Sequence, residues 1–224
     1  YHRGGSQALV YGLGNHGANE LEERFSIPRR KVDWTAKNRE ATRLFLQHTL
    51  LIADVMIAIE LSCRKSGRVR LIDQDEILTM LPQATQNSTE PFRWKVNLSE
   101  KGKSVPLGVV PDKTFALQSV EHPQDIAYYF LEADRATMPV SRKNLNQTSV
   151  RRKLLAYSAT WQQNIHKTRF GLNRFRVLTV TSSAKRVENL SAVCRELPRG
   201  HGLFLFADRD LFRSGNDPFQ IEWK

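Results

Sequence analysis

Apolar residues recur along this chain with two different periods, and the change between them outlines its elements. From about Asn38 to Lys65, Ala41, Leu44, Phe45, Leu51, Ile52, Val55, Met56 and Ile59 follow helical spacing. Asn38 supplies an N-cap and Gly67 a stop. This helix is apolar over much of its surface, so it is expected to pack against a sheet. His48, Asp54 and Glu60 interrupt it, which argues for a buried helix and against a membrane span. A shorter helix is predicted over Gln74–Leu81, followed by a polar loop from Pro82 to Pro91. Strand-like runs come next, at Phe92–Leu98, Leu107–Val110, Thr114–Val120 and Ile126–Glu132. Lys101-Gly102-Lys103 and His122-Pro123-Gln124-Asp125 are turn material between them. A second long helix, Gln147–His166, carries the stripe Val150, Leu154, Tyr157, Trp161 and Ile165. Strand Arg176–Thr181, helix Ala184–Leu197, strand Leu203–Ala207 and a short strand Gln220–Trp223 complete the order. A strand meander followed by alternating helices and strands predicts an α/β fold, a mixed central sheet flanked by helices.

Residues 1–36 read as the end of a separate region and a linker, and 37–224 as the main domain. Gln7–Leu13 suits a short strand, Gly14-Asn15-His16-Gly17 a turn and Ala18–Phe25 a short helix, with Pro28-Arg29-Arg30-Lys31 as a basic linker. A glycine-flanked strand of this kind suits the wing of a winged helix as well as an ordinary hairpin. The chain begins at Tyr1 and not at Met, which leaves room for residues upstream.

Composition narrows the class. Hydrophobic residues make up 40% and charged residues 25%, an ordinary globular balance. No signal-peptide pattern is visible. Cys63 and Cys194 have no CxxC spacing, so neither a disulfide framework nor a zinc site is expected, and a reducing cytoplasm is the default. The net charge is +11, and its distribution says more than its size. Between Arg135 and Arg186 stand 12 basic residues and no acidic one; the rest of the chain holds 22 basic and 23 acidic residues. That pattern predicts a neutral body with one basic face or channel, whose natural partner is a polyanion, most often nucleic acid.

The candidate chemistry lies beside that window. Pro111-Asp112 occupies the turn between two strands, and Glu132-Ala133-Asp134 ends the next one. A hairpin brings the two places side by side, and Glu132 and Asp134 point to one face while the strand stays extended. Three gathered carboxylates repel one another unless a cation joins them, and Mg²⁺ (or Mn²⁺) accepts such oxygen ligands. Lys153 stands about 100° round the helix from the core position Leu154 and can point toward the strand ends. A metal on Asp112, Glu132 and Asp134 with the Lys153 ammonium beside it suits phosphodiester cleavage. Arg135, Arg142, Lys143, Arg151, Arg152, Lys167, Arg169 and Arg174 would then contact DNA phosphates.

Helix, meander, Pro111-Asp112 and then Glu132-Ala133-Asp134 at a strand end resemble the PD-(D/E)XK nuclease superfamily. Val109-Val110-Pro111-Asp112, the run from Tyr129 to Arg135, and Lys153-Leu154-Leu155-Ala156-Tyr157 resemble the replication-relaxation family of bacterial plasmids and mobile elements. The resemblance covers about Asn38 to Ala207. It implies a restriction-endonuclease-like (PD-(D/E)XK) core preceded by a winged helix, with His48–Glu60 in its first core helix and Tyr11-Gly12-Leu13 in the winged helix's last strand. It also implies a DNA-binding role in replication or mobilisation, with partner proteins of those processes and no membrane. Asp134 stands where the superfamily has lysine, so the resemblance assigns that task to Lys153 from the next helix. It further offers Glu60 as a helix carboxylate on the metal.

Each residue also has a plainer reading. Asp112 is a common turn residue. Glu132 and Asp134 can pair with Arg135 or Arg151 at a solvated strand end. Lys153 reads more simply as a solvated helix lysine, and Glu60 can pair with Arg64 at i+4. His48 reads as a core histidine, and Tyr157 and Trp161 as core aromatics. Phe170 and Phe175, set among Arg169, Arg174 and Arg176, suit base stacking or a strand entrance equally. The alternative to an Mg-dependent DNA endonuclease is a catalytically inactive nuclease-like fold that docks on DNA or protein. A third reading is a module whose basic face meets an acidic protein.

Overall fold

The computed structural model describes residues 11–29, 43–100, 102–142, 147–213 and 216–224. The chain divides into two units, residues 1–47 and 48–224. In the first, helix α1 spans Asn15–Phe25 and ends at Ser26, whose φ of 53° is left-handed. Arg29 folds back on it, with Nη2 2.7 Å from Asn15 Oδ1. Residues 11–14 form no strand, and the remainder of the expected strand, residues 7–10, lies outside the described residues, as does Asn38.

Helix α2, Arg43–Ser66, enters the second unit at His48. It ends at Gly67, whose φ of +63° suits glycine and whose N–H closes on the Cys63 carbonyl. The following strand β1, Val69–Ile72, is too short to show a period and escapes sequence reading. Helix α3, Gln74–Met80, is capped by the Asp73 carboxylate, and α4, Gln83–Gln86, is a single turn within the expected loop. Four strands follow: β2 (Trp94–Glu100), β3 (Lys103–Val109), β4 (Lys113–Ser119) and β5 (Ile126–Asp134). Helix α5 spans Val150–Gln162, and a left-handed Asn164 separates it from the turn α6, Ile165–Thr168, so the expected single helix is two. Strand β6 (Phe175–Thr181), helix α7 (Ala184–Arg195), strand β7 (Phe204–Asp208) and the turn α8 (Asp210–Arg213) complete the order.

Five strands form one mixed sheet in the order β1-β4-β5-β6-β7. β1, β4 and β5 are antiparallel neighbours, while β5, β6 and β7 run parallel, joined by crossovers through α5–α6 and α7. Alternation along the strands sends Phe115, Leu131, Ala133, Leu178 and Val180 to one face, against Leu51, Val55, Ile59 and Cys63 of α2. Ala116, Phe130 and Val177 face the other side, with Leu154 and Tyr157 of α5 and Leu190 of α7. The expectation of a mixed sheet with helices on both faces is met.

The meander itself divides. β2 and β3 pair only with each other and pack on α5, because β1 already occupies the free edge of β4. Trp94 Nε1 donates to Thr160 Oγ1 at 2.8 Å, and the Gln163 amide bonds both backbone groups of Asn97. The last segment forms no strand in the sheet, although Lys224 exchanges two backbone hydrogen bonds with Phe206. Among the described helices, only Phe45–Ser66 is long and apolar enough to cross a membrane. One side of it lies on the sheet, while Ile57 and Leu61 are exposed.

The parallel crossover also redistributes the basic window. A chain leaving the end of β5 must travel the length of the sheet to start β6, roughly 20 Å for seven residues. The window is therefore not one face. Arg135, Arg142, Arg151, Arg152 and Lys153 lie around the C-terminal end of β5 and the start of α5, whereas Lys167, Arg169, Arg174 and Arg176 lie before and at the beginning of β6.

Candidate functional site

The antiparallel register of β4 and β5 places Asp112 beside Glu132. Lys113 pairs with Leu131, and the Asp112 N–H donates to the Leu131 carbonyl at 3.0 Å. Asp112 Oδ2 accepts the Ala133 N–H at 2.8 Å, and its Oδ1 lies 3.2 Å from His48 Nε2 on α2. Burial opposes the charge of Asp112, but His48, the Lys153 ammonium and the Ala133 N–H outweigh it, holding the carboxyl below its ordinary range.

The start of α5 fixes Lys153. The first free N–H groups, on Val150 and Arg151, donate to Pro139 and Val140, while Ser149 Oγ accepts from Arg152. Val150 and Leu154 face the core, which turns Lys153 onto Glu132 Oε2. Tyr157, one turn on, donates to Glu132 Oε1 at 2.6 Å. Glu132 is 5% exposed, and burial pushes its carboxyl up against the pull of Lys153. Burial would lower the Lys153 amine, but the charges of Glu132 and Asp112 dominate and raise it, so the ammonium persists at neutral pH. Asp112, Glu132, Lys153, His48 and Tyr157 line one cavity of about 140 Å³.

Asp134 shares this face but has other duties. Its two oxygens take Thr181 Oγ1 at 2.8 Å, Arg186 Nε at 2.8 Å, Arg186 Nη2 at 3.4 Å and the Ala136 N–H at 3.1 Å. A carboxylate offers about four acceptor positions. All are filled here, so Asp134 braces β5, β6 and α7 while its oxygens face the same cavity. It also holds Ala136 at a left-handed φ of 59°, which turns the chain off the strand. Glu60 is not brought to the site. It pairs with Arg64 at 2.7 Å, three turns along α2 from His48.

Among the described residues, no three His, Cys, Asp or Glu side chains are grouped to hold a metal ion. The donors that remain are Asp112 and Glu132, each with acceptor positions beyond its hydrogen bonds. Such a pair fits an ion of the Mg²⁺ type that keeps most of its waters, and not a closed cage.

Of the expected DNA contacts, Arg135 lines the cavity, and Arg151 and Arg152 are half-buried in the first turn of α5 but are not among the cavity's lining residues. Arg142 is exposed, with Nη1 3.4 Å from Gln147 Oε1, and Lys143 lies outside the described residues. Lys167 and Arg174 are exposed at the other end of the sheet. Arg169 is committed to the fold: Nη2 donates to the Glu90 and Pro91 carbonyls, and its guanidinium lies 5.7 Å from the Phe170 ring centre. Phe170 and Phe175 are buried and cannot stack bases.

Sequence reading missed the site roles of His48, which it placed in the core, and of Tyr157, whose core reading holds at 1% exposed but which also bonds Glu132. The i, i+4 spacing of Lys153 and Tyr157 was the available signal for the second. A family model described as replication-relaxation matches residues 1–174, a span that contains all five side chains of the cluster. No curated protein and no solved structure matches the chain.

Proposed function

The chain belongs to the replication-relaxation family, which gives it a role in plasmid or mobile-element replication, and on that premise we propose that it binds DNA and that the Asp112–Glu132–Lys153 pocket is a nuclease site of the PD-(D/E)XK type. The observation that carries this reading is the convergence of Asp112, Glu132 and Lys153, from the β3–β4 turn, the end of β5 and the start of α5, in one small cavity. Lys153 supports it further, because it reaches Glu132 from the next helix and so stands in for the lysine that Asp134 replaces.

Hydrolysis forms a bond from a water oxygen to phosphorus and breaks one ester P–O bond. One proton leaves the water and one reaches the departing oxygen. Mg²⁺ held by Asp112 and Glu132 would polarise the phosphoryl group and acidify its water. The Lys153 ammonium faces the charge that develops on the phosphoryl oxygens. Asp112 Oδ1 lies 3.2 Å from His48 Nε2, a contact that orients the imidazole at the pocket. Arg135, Arg151 and Arg152 flank the cavity where the phosphate backbone would cross.

A second reading is favoured by the self-neutralised pairs Lys153–Glu132 and Arg186–Asp134, which stabilise the fold without a metal. Such a domain would dock on DNA or on a replication partner without cutting. Nicking of supercoiled plasmid with Mg²⁺ or Mn²⁺ separates the two. The nuclease reading expects Asp112→Ala and Glu132→Ala to abolish nicking and Lys153→Met to slow it by roughly 100-fold. DNA binding with no nicking by wild type, or equal nicking by wild type and both alanine variants, overturns it.

A further inference from the structure

A groove of about 760 Å³ opens at the other end of the sheet, where β6 begins. It is lined by Trp161 at the end of α5, Arg174 and Arg176 at the start of β6, and Arg199, Gly200 and Gly202 before β7, with no acidic residue. Arg176 is partly tied down, its Nη1 donating to the Gly202 carbonyl at 2.6 Å. Arg174 and Arg199 are exposed, and among the described residues their guanidiniums have no hydrogen-bond or ion-pair partner. Gly200 holds a φ of +85°, and a Cβ there would come within 3.0 Å of Ser158 Oγ, so the floor of the groove is shaped by backbone.

Trp161 gives the groove its specificity. One face of the indole is covered by the His166 ring, parallel to it with centres 4.3 Å apart. The Phe175 ring centre lies 6.0 Å away at a 55° tilt, and Trp161 still keeps 36% of its surface exposed at the groove. An indole fixed from behind is a stacking platform that has already lost its rotamer freedom. Duplex bases are stacked on one another and cannot reach it; an unpaired base can. Guanidiniums beside an aromatic face match the phosphate and base of one nucleotide unit.

We propose that this groove binds single-stranded DNA, with a base stacked on Trp161 and the flanking phosphates on Arg174 and Arg199. The site is separate from the Asp112–Glu132–Lys153 pocket and goes beyond the nuclease reading. A strand opened during replication is the form of DNA it selects.

The test is fluorescence anisotropy of a labelled oligothymidylate and of a duplex of equal length, titrated with the full chain. Wild type should prefer the single strand. Trp161→Ala should weaken that binding by roughly tenfold or more, the usual loss of a base-stacking aromatic, and leave duplex binding unchanged. The double variant Arg174→Glu/Arg199→Glu should weaken it further and flatten its salt dependence by about 0.7 per lost phosphate contact. If Trp161→Ala keeps the wild-type circular dichroism and binds the single strand as wild type does, the proposal is overturned. If Trp161→Ala fails to fold, the exposed arginine pair decides, because unchanged binding in that variant also overturns it.

Discussion

Tyr157 donates its hydroxyl hydrogen to Glu132 Oε1 across 2.6 Å, joining the middle of α5 to the end of β5. Burial and the neighbouring carboxylate push the phenol well above its ordinary range, so it remains a donor. Tyr157→Phe leaves a buried carboxylate oxygen without that donor and should cost about 1–3 kcal/mol, read as a lower urea midpoint at unchanged m-value. Lys153→Met should cost less than the ~3–5 kcal/mol of a broken buried pair, because the Lys153 side chain is 40% exposed and water screens it. Adding Glu132→Gln to Lys153→Met should recover part of the loss.

Asp134 and Arg186 are both nearly buried, with side chains 11% and 12% exposed. Removing one partner strands the other charge, so Asp134→Ala should cost about 3–5 kcal/mol in thermal or urea unfolding. On the nuclease reading, that variant should still nick plasmid below its melting transition, while Asp112→Ala should not. Loss of nicking in folded Asp134→Ala would give Asp134 a chemical role beyond bracing the sheet.

The two carboxylates of the pocket pull acid stability in opposite directions. Asp112 lies below its ordinary value of 3.8, so its contribution is present above that pH and is lost as the pH falls through its folded value. Glu132 lies above its ordinary value of 4.5, so the folded state favours its protonated form. Its charge therefore weakens the fold as the pH rises from 4.5 through the folded value. Urea midpoints measured from pH 2.5 to 7 should show a shallower acid limb in Asp112→Asn. Glu132→Gln should remove the opposing trend above pH 4.5.

The pairing of Asp112 with Glu132 was legible in the sequence, because a Pro-Asp turn between strands and an extended Glu-x-Asp leave little choice of register. Lys153 was legible from its place one residue from a core leucine. His48 was not: helical periodicity shows which side of α2 meets the sheet, and not where along the sheet each turn lies. Glu60, offered by the family resemblance, meets the same limit, because twelve residues of helix carry it about 18 Å along the axis from His48. Asp134 was assigned the correct face, but its partner Arg186 arrives from α7 after a crossover that no local pattern announces. Trp161 shares the apolar stripe of α5, yet it lies where the helix outruns the core, so it reaches the surface.

Helix α5 carries Lys153 in its first turn and Trp161 in its last, about 12 Å apart along one axis. A hydrogen-bonded helix of this length is stiff, and the β2–β3 hairpin clasps it through Thr160 and Gln163. The two ends therefore move as a single beam. The clasp flanks Trp161, so the hairpin anchors the indole end of the helix and Lys153 projects from the end that Ser149 caps.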